Sequence, residues 1–189
     1  MPRAGVTTAR VVEEAELLAD EVGLADVTLA QIAGRLDVKV PSLYKHVAGL
    51  DALHALVEAR AKADLADALG RAAVGVAGDD AVDALADAYR DWARRHPGRY
   101  SATLKAPDPD DEPAQVASAR AVQVVFDALA GYGLTGEAAI DATRAFRAAL
   151  HGFVALEAAG GFGLPQNVDR SFHKLVDALK RSLRDWDKL

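Results

Sequence analysis

Residues 28–50, "TLAQIAGRLDVKVPSLYKHVAGL", decide how the rest of the chain is read. Thr28 stands three residues ahead of Gln31, a capping-box spacing in which two side chains satisfy amides that a helix start leaves orphaned. The helix so opened ends near Leu36. After a turn of about three residues a second short helix is expected over 38–47, with Pro41 in its first turn, where no intrahelical amide bond is lost. Leu43 and Val47, four apart, supply its buried side. That arrangement leaves Val40, Pro41, Ser42, Tyr44, Lys45 and His46 on the outside, a polar surface too short to serve a core.

Working outward, the same logic places helices along the whole chain. A first helix over 8–22 puts Val11, Val12, Ala15, Leu18 and Ala19 on one side and stops at Gly23. Downstream, a longer helix runs over 50–69. The next begins at Asp79 and Asp80 and ends with Arg94, Arg95 and His96 before Pro97, charges that suit the helix dipole at both ends. "KAPDPDDEP", residues 105–113, is a loop, because three prolines and four acids do not continue a helix. Helices follow over 114–130, 135–160 and 167–186. Apolar residues recur at three- and four-residue spacing nearly everywhere and strand-like alternation is hard to find, so the expected class is all-α with about nine helices.

Composition narrows the function classes. The 189 residues are 51% hydrophobic, enough for a sizeable core, yet no run of 18 uninterrupted apolar residues occurs. The N-terminus turns charged where a signal peptide needs its apolar stretch, so a soluble, cytoplasmic protein is expected. There are no cysteines, which removes disulfides, thiolate metal sites and cysteine nucleophiles together. A net charge of -6 argues against indiscriminate coating of nucleic acid or anionic membrane, though it leaves room for a small, shaped contact. Alanine makes up about a fifth of the chain and arginine outnumbers lysine 15 to 7, which suits helices and equally suits a GC-rich genome.

Three short helices with tight turns, the third exposing small and polar side chains, form the pattern of a helix-turn-helix reader of the DNA major groove. Val40 and Pro41 can pack on thymine methyls and Ser42 can hydrogen-bond a base edge. Tyr44, Lys45 and His46 are suited to phosphate oxygens. On pattern alone, a connecting helix with a solvated polar face stands beside this reading. The longer stretch "TLAQIAGRLDVKVPSLYKHVAGLDAL" resembles the helix-turn-helix of the tetracycline-repressor (TetR) family, in its threonine cap, its "IA..L.V" second helix and its "LY.HV" recognition helix. The resemblance spans about residues 8–53.

That resemblance implies a DNA-binding domain over 1–49. In it Thr28 and Tyr44 hold the DNA backbone, Val40, Pro41 and Ser42 face bases, Lys45 and His46 lie near phosphates, and Lys39 is a further candidate. Two departures from the family pattern stand out: Asp37 where a glycine is common in the turn, and Leu50 followed by Asp51 where a lysine is common at the start of the fourth helix. The first 50 residues carry five basic and seven acidic side chains. Non-specific binding is therefore expected to be weak, with affinity resting on close fit and on helix-terminus amides.

For residues 50–189 the resemblance implies an effector-binding and dimerisation domain. The 135–160 helix carries large apolar groups at Ile140, Phe146, Leu150, Phe153 and Leu156, and a stripe of small ones at Ala145, Ala148, Gly152, Ala155 and Ala159. One face can enter a core while the other admits a close neighbouring helix. The last helix repeats Val168, Phe172, Leu175, Val176, Leu179, Leu183 and Trp186 like a bundle seam. Both patterns are compatible with internal core. The expected use is a homodimer, with Ala145, Ala148, Gly152, Ala155, Phe172, Leu175, Leu179 and Leu183 at the interface, because twofold symmetry matches a palindromic DNA operator.

"LHGFVALEAAGGFGLP", residues 150–165, is similar to the C-terminal domain of a TetR subgroup named for a Trp-His-Gly signature, with Leu150 in place of the tryptophan; "HPGRY", 96–100, is a second similarity. Tyr89, Trp92, Tyr100, Leu104, Phe126, Phe146 and Phe153 are candidates to line an apolar pocket for an unknown small-molecule effector, with His151 a polar contact or a satisfied core histidine.

Signals of catalysis are weak. "GYGLTG", 131–136, matches G-x-G-x-x-G formally but follows a helix and has no parallel sheet around it, so a glycine-rich turn capped by Thr135 accounts for it. The histidines at 46, 54, 96, 151 and 173 are scattered, and no nucleophile elbow occurs. No cofactor, metal or enzymatic activity is expected. The rival reading is a helical small-molecule binder or enzyme whose N-terminal cluster is only structural.

Overall fold

In the computed structural model, residues 6–188 are described, so residues 1–5 of the charged N-terminal stretch lie outside them. Among the described residues all regular structure is helical: nine α-helices and two short 3-10 turns. The helices are α1 (Thr8–Val22), α2 (Leu29–Arg35), α3 (Val40–Leu43), α4 (Leu50–Ala72), α5 (Gly78–Arg95), α6 (Pro97–Ala102), α7 (Glu112–Ala130), α8 (Gly136–Ala158) and α9 (Val168–Arg184). The chain divides into two compact units, Met1–Ala63 with His96–Gln115, and Asp64–Arg95 with Val116–Leu189. Helices α4 and α7 contribute residues to both.

The first unit is built on α1. Thr7 caps it, its hydroxyl accepting from the Arg10 amide, and Val11, Val12, Ala15, Leu18 and Ala19 are buried along one side as expected. Helix α2 packs on α1 and α3. The expected capping box is formed: Thr28 Oγ1 accepts from the Gln31 amide at 3.3 Å, while Gln31 Oε1 accepts from the Thr28 amide at 2.8 Å. The third helix is shorter than the 38–47 expected. Only Val40 to Leu43 are α-helical, and Tyr44 to His46 form a turn closed by bonds from the His46 and Val47 amides to the Leu43 carbonyl. Pro41 sits in its first turn. A run this short offers few i to i+4 bonds and is held by its anchors, Leu43 and Val47, both buried.

The turn before it contains the only described non-glycine residue at positive φ, Asp37 at 53°. Aspartate tolerates this left-handed conformation better than residues with bulkier or branched side chains, which explains how the chain manages without a glycine there. Asp37→Val is expected to lower stability by about 1–2 kcal/mol, while Asp37→Gly should stay within about 1 kcal/mol of the parent. Thermal unfolding of both variants tests this, and equal midpoints for the two would remove the argument.

Helix α6 is not anticipated by the sequence, since six residues after a proline show no apolar period. It is held by α1. Gly98 approaches so closely that an added Cβ would lie 1.7 Å from the Ala19 carbonyl oxygen. Beside it, Asp20 accepts from the Arg99 amide at 2.9 Å and from Arg99 Nε at 2.8 Å. His96 Nδ1 lies 3.4 Å from the same carboxylate and also meets the Arg99 guanidinium.

In the second unit, α5, α8 and α9 pack against one another. The α5 face entering this core carries Val82, Leu85, Ala86, Tyr89 and Trp92. Arg90, 6% exposed, lies among them: it donates from Nε to Glu157 Oε2 at 2.8 Å and from Nη2 to Asp169 at 2.8 Å, and its guanidinium stacks over Phe153 and Phe172. A buried cation is tolerable here because α8 and the first turn of α9 supply its acceptors and two rings supply their faces. The "GYGLTG" segment is the expected turn, with Gly133 and Gly136 at positive φ. Thr135 takes the N-cap position of α8 without a side-chain cap bond, and Asn167 caps α9 instead through the Arg170 amide. Two residues assigned to the large apolar face of α8 are exposed, Ile140 and Leu156. The buried side is Ala139, Ala142, Phe146, Leu150 and Val154, the spacing that continues from Phe146 by fours.

Candidate functional site

The candidate reading surface lies in the first unit, at the end of α2, the turn, α3 and the turn that follows. With Leu43 and Val47 turned inward, Lys39, Pro41, Tyr44 and Lys45 are exposed and Val40, Ser42 and His46 half-buried. Tyr44 is 57% exposed, a large apolar ring with a phenol at its tip and no core to fill. Lys39 occupies the N-cap position of α3. The His46 carbonyl accepts from Thr8 Oγ1 at 3.2 Å, which ties the end of the segment back to the start of α1. The segment is thus fixed from beneath, with Lys39, Pro41, Tyr44 and Lys45 turned outward.

Thr28 is also exposed, but its hydroxyl is engaged: it donates to Gln31 Oε1 at 2.7 Å while accepting from the Gln31 amide. Meeting a phosphate through that hydroxyl proton requires it to turn from Gln31. Acidic side chains of the same unit are paired in part. Arg35 bridges to Glu21 and lies 3.9 Å from Glu14, which also holds Arg10 at 2.5 Å. The Arg35 hydrogen bond holds the Glu21 carboxyl below its usual range.

The profile described as "Tetracyclin repressor-like, C-terminal domain" matches residues 82–179. An uncharacterised HTH-type transcriptional regulator of Mycobacterium tuberculosis is 43% identical over 151 residues, covering 79% of this chain and 69% of the relative. The HTH-type regulator YobS of Bacillus subtilis is 35% identical over 168 residues, covering 88% of this chain and 87% of its own. The chain belongs to the TetR family. Among solved structures, a protein of unknown function from Rhodococcus sp. RHA1 superposes with a TM-score of 0.78 at 24% identity, covering 97% of this chain and 99% of that one. A TetR variant from Acinetobacter baumannii AYE in complex with minocycline superposes with a TM-score of 0.71 at 21% identity, covering 96% and 98%. These two likenesses concern the fold.

The TetR-family chain distributes the candidate effector side chains between its units. Tyr100, buried, and Leu104, exposed, belong to the first; Tyr89, Trp92, Phe126, Phe146, His151 and Phe153 belong to the second. In the second, Tyr89, Trp92 and Phe146 are buried, and Phe126, His151 and Phe153 half-buried. Phe153 packs on Phe162 at 4.7 Å and Phe172 at 5.1 Å between ring centres. An open hollow of about 310 Å³ at the α8–α9 connection is lined by other residues, including Phe162, Leu164, Gln166 and Val168. Sequence periodicity singles out only Val168 of these, because the glycine-rich connection that carries Phe162, Leu164 and Gln166 has none.

On the candidate dimer face, Ala148, Gly152 and Ala155 are exposed, and Ala145, Leu175 and Leu179 half-buried. Phe172 and Leu183, by contrast, are enclosed within the protomer, Phe172 completely. Their side chains serve its own core. Among the described residues no group of three or more His, Asp or Glu side chains could hold a metal, and no helix is long and apolar enough to cross a membrane.

Proposed function

We propose that this chain is a ligand-responsive transcriptional repressor that binds a palindromic operator as a homodimer and is released by a small-molecule effector. The observation that carries the reading is the outward polar segment from Lys39 to His46 standing on the buried anchors Leu43 and Val47. Residues 1–49 act as the DNA-binding domain and 50–189 as the effector-binding and dimerisation domain. Val40, Pro41 and Ser42 face base edges; Tyr44, Lys39, Lys45, His46 and, after turning from Gln31, Thr28 meet the backbone. The protein works in the cytoplasm, by binding rather than catalysis. His151-Gly152 and "HPGRY" support placing the C-terminal domain in the Trp-His-Gly subgroup.

The second copy packs against the small-residue side of α8, through Ala148, Gly152, Ala155 and Ala145, and against Leu175 and Leu179 of α9. Small side chains let helices approach closely, and the neighbouring Leu156 adds an exposed apolar group to the same region. An effector releases DNA only by binding the released state more tightly, since equal affinity for both states shifts nothing.

The test is retention of genomic fragments by the purified protein at stated salt, followed by sequencing of the bound DNA. A palindromic site is expected. Tyr44→Ala and Ser42→Ala should each weaken binding about tenfold or more with the fold intact, because each is lost twice in a dimer. Failure to enrich any sequence with folded, dimeric protein would sink the proposal. The salt dependence should also be shallow. Two outward lysines per protomer, Lys39 and Lys45, make about four phosphate contacts in a dimer and a slope of log affinity on log salt near -4.

A further inference from the structure

Along α4, His54, Glu58 and Lys62 follow one another at four-residue spacing and so share one side of the helix. The stripe beside them, Leu53, Val57 and Ala61, is fully buried. All six residues belong to the first unit. Lys62 is itself 5% exposed, and its Nζ has no hydrogen-bond acceptor among the described residues. Glu58 Oε2 stands 4.0 Å from it, beyond hydrogen-bond range. His54 Nε2 is likewise enclosed without a partner.

An ammonium carries three donors and no acceptor. Enclosing it with none of the three satisfied is strongly unfavourable, and a long lysine stem ordinarily avoids this by reaching out to water. Here the stem does not reach out. An acceptor delivered by a ligand removes the penalty and forms a short, charge-assisted bond in a place where water competes poorly.

We propose that Lys62 receives the carboxylate of a small organic acid, and that His54 hydrogen-bonds a polar atom farther along the same ligand. The two residues are eight positions apart, roughly 12 Å along the helix axis, which calls for an elongated molecule. Glu58 between them sets the charge of the head group. A monoanion leaves the local sum of Lys62, Glu58 and ligand at one negative charge, whereas a dianionic phosphate adds a second beside a carboxylate. A cationic ligand is disfavoured because Glu58, 30% exposed at its side chain, already has access to water while Lys62 does not. The inference rests on the effector reading only in naming this acid as the effector; none of the eight side chains singled out from the sequence takes part.

The experiment is calorimetric titration of the full chain with two matched pairs, decanoate against decan-1-ol and 1-naphthoate against 1-naphthalenemethanol. At least one acid should bind tenfold or more tightly than its alcohol. Lys62→Met should reduce that preference below threefold while leaving the alcohol within twofold, and Lys62→Arg should retain part of the preference. Lys62→Gln, which keeps a polar tip in the same place, makes the comparison if the methionine variant does not fold. Equal binding of acid and alcohol by the parent protein, or a preference that survives loss of the ammonium, overturns the proposal. Operator binding is measured in the same samples without probe. Intact operator binding with no acid preference refutes this inference alone, whereas a parent protein that binds no operator refutes the regulator reading whatever the acids do.

Discussion

Gly98→Ala is expected to cost about 3 kcal/mol or more of stability, near the upper end of what overpacking does. Alanine is the better helix former, so propensity alone favours the change by up to about 1 kcal/mol. The contact decides the sign. An added Cβ would sit 1.7 Å from the Ala19 carbonyl oxygen and 2.2 Å from its carbon. Both are main-chain atoms inside α1, and they cannot swing aside as a side-chain tip can. Relieving the clash means lifting α6 from α1, which stretches the two bonds from Arg99 to Asp20. Gly34→Ala is the control. Gly34 lies within α2 with nothing within 4 Å of an added Cβ and should gain about 0.5–1 kcal/mol. Urea midpoints for both variants test the pair, and a Gly98→Ala protein as stable as the parent would show that α6 does not need its close seat.

The second large effect belongs to Arg90. Arg90→Met keeps an apolar stem near Phe153 and Phe172 but removes the donors shared by Glu157 and Asp169, and a loss of about 3 kcal/mol is expected. Asp169 is largely exposed and rehydrates, so most of the cost falls on Glu157, whose side chain is 19% exposed. The sign of the pH dependence follows from the same contact. The Arg90 hydrogen bond holds the Glu157 carboxyl below the usual range. A depressed carboxyl contributes stability that is full above its unfolded value, about 4.3, and is lost as pH falls through the lower folded one. The parent should therefore lose stability more steeply than Arg90→Met below about pH 4.5, and the two curves should converge. Parallel curves across that range would mean that Glu157 draws nothing from the arginine.

Most of the helical layout was legible because it depends on local chemistry. The α1 boundaries, the Thr28–Gln31 box, the end of α5 before Pro97 and the loop before α7 all follow from caps, breakers and apolar spacing within a few residues. So did the inward turn of Leu43 and Val47, which leaves the polar side chains of the segment facing outward. The same local rules failed where a neighbour decides. Helix α6 has no period to read and exists on the surface that α1 offers. Tyr44 to His46 form a turn where the same spacing of Leu43 and Val47 allows a continuing helix. Ile140 and Leu156 are as apolar as Phe146, yet stand outside the buried stripe of α8.

By itself, the sequence determined an all-helical TetR-family chain, with a short polar segment standing on two apolar anchors near its start. Hydrogen bonding and burial within one or two turns are enough to specify that much. Tertiary structure alone decided the close seat of Gly98 on Ala19, the burial of Arg90 among two acids and two rings, and the enclosure of Phe172 and Leu183 within the protomer. It also left the Lys62 ammonium without a hydrogen-bond acceptor among the described residues. Each depends on atoms far apart in the chain arriving within a few ångströms, and pairwise distance of that kind is not written in spacing or composition.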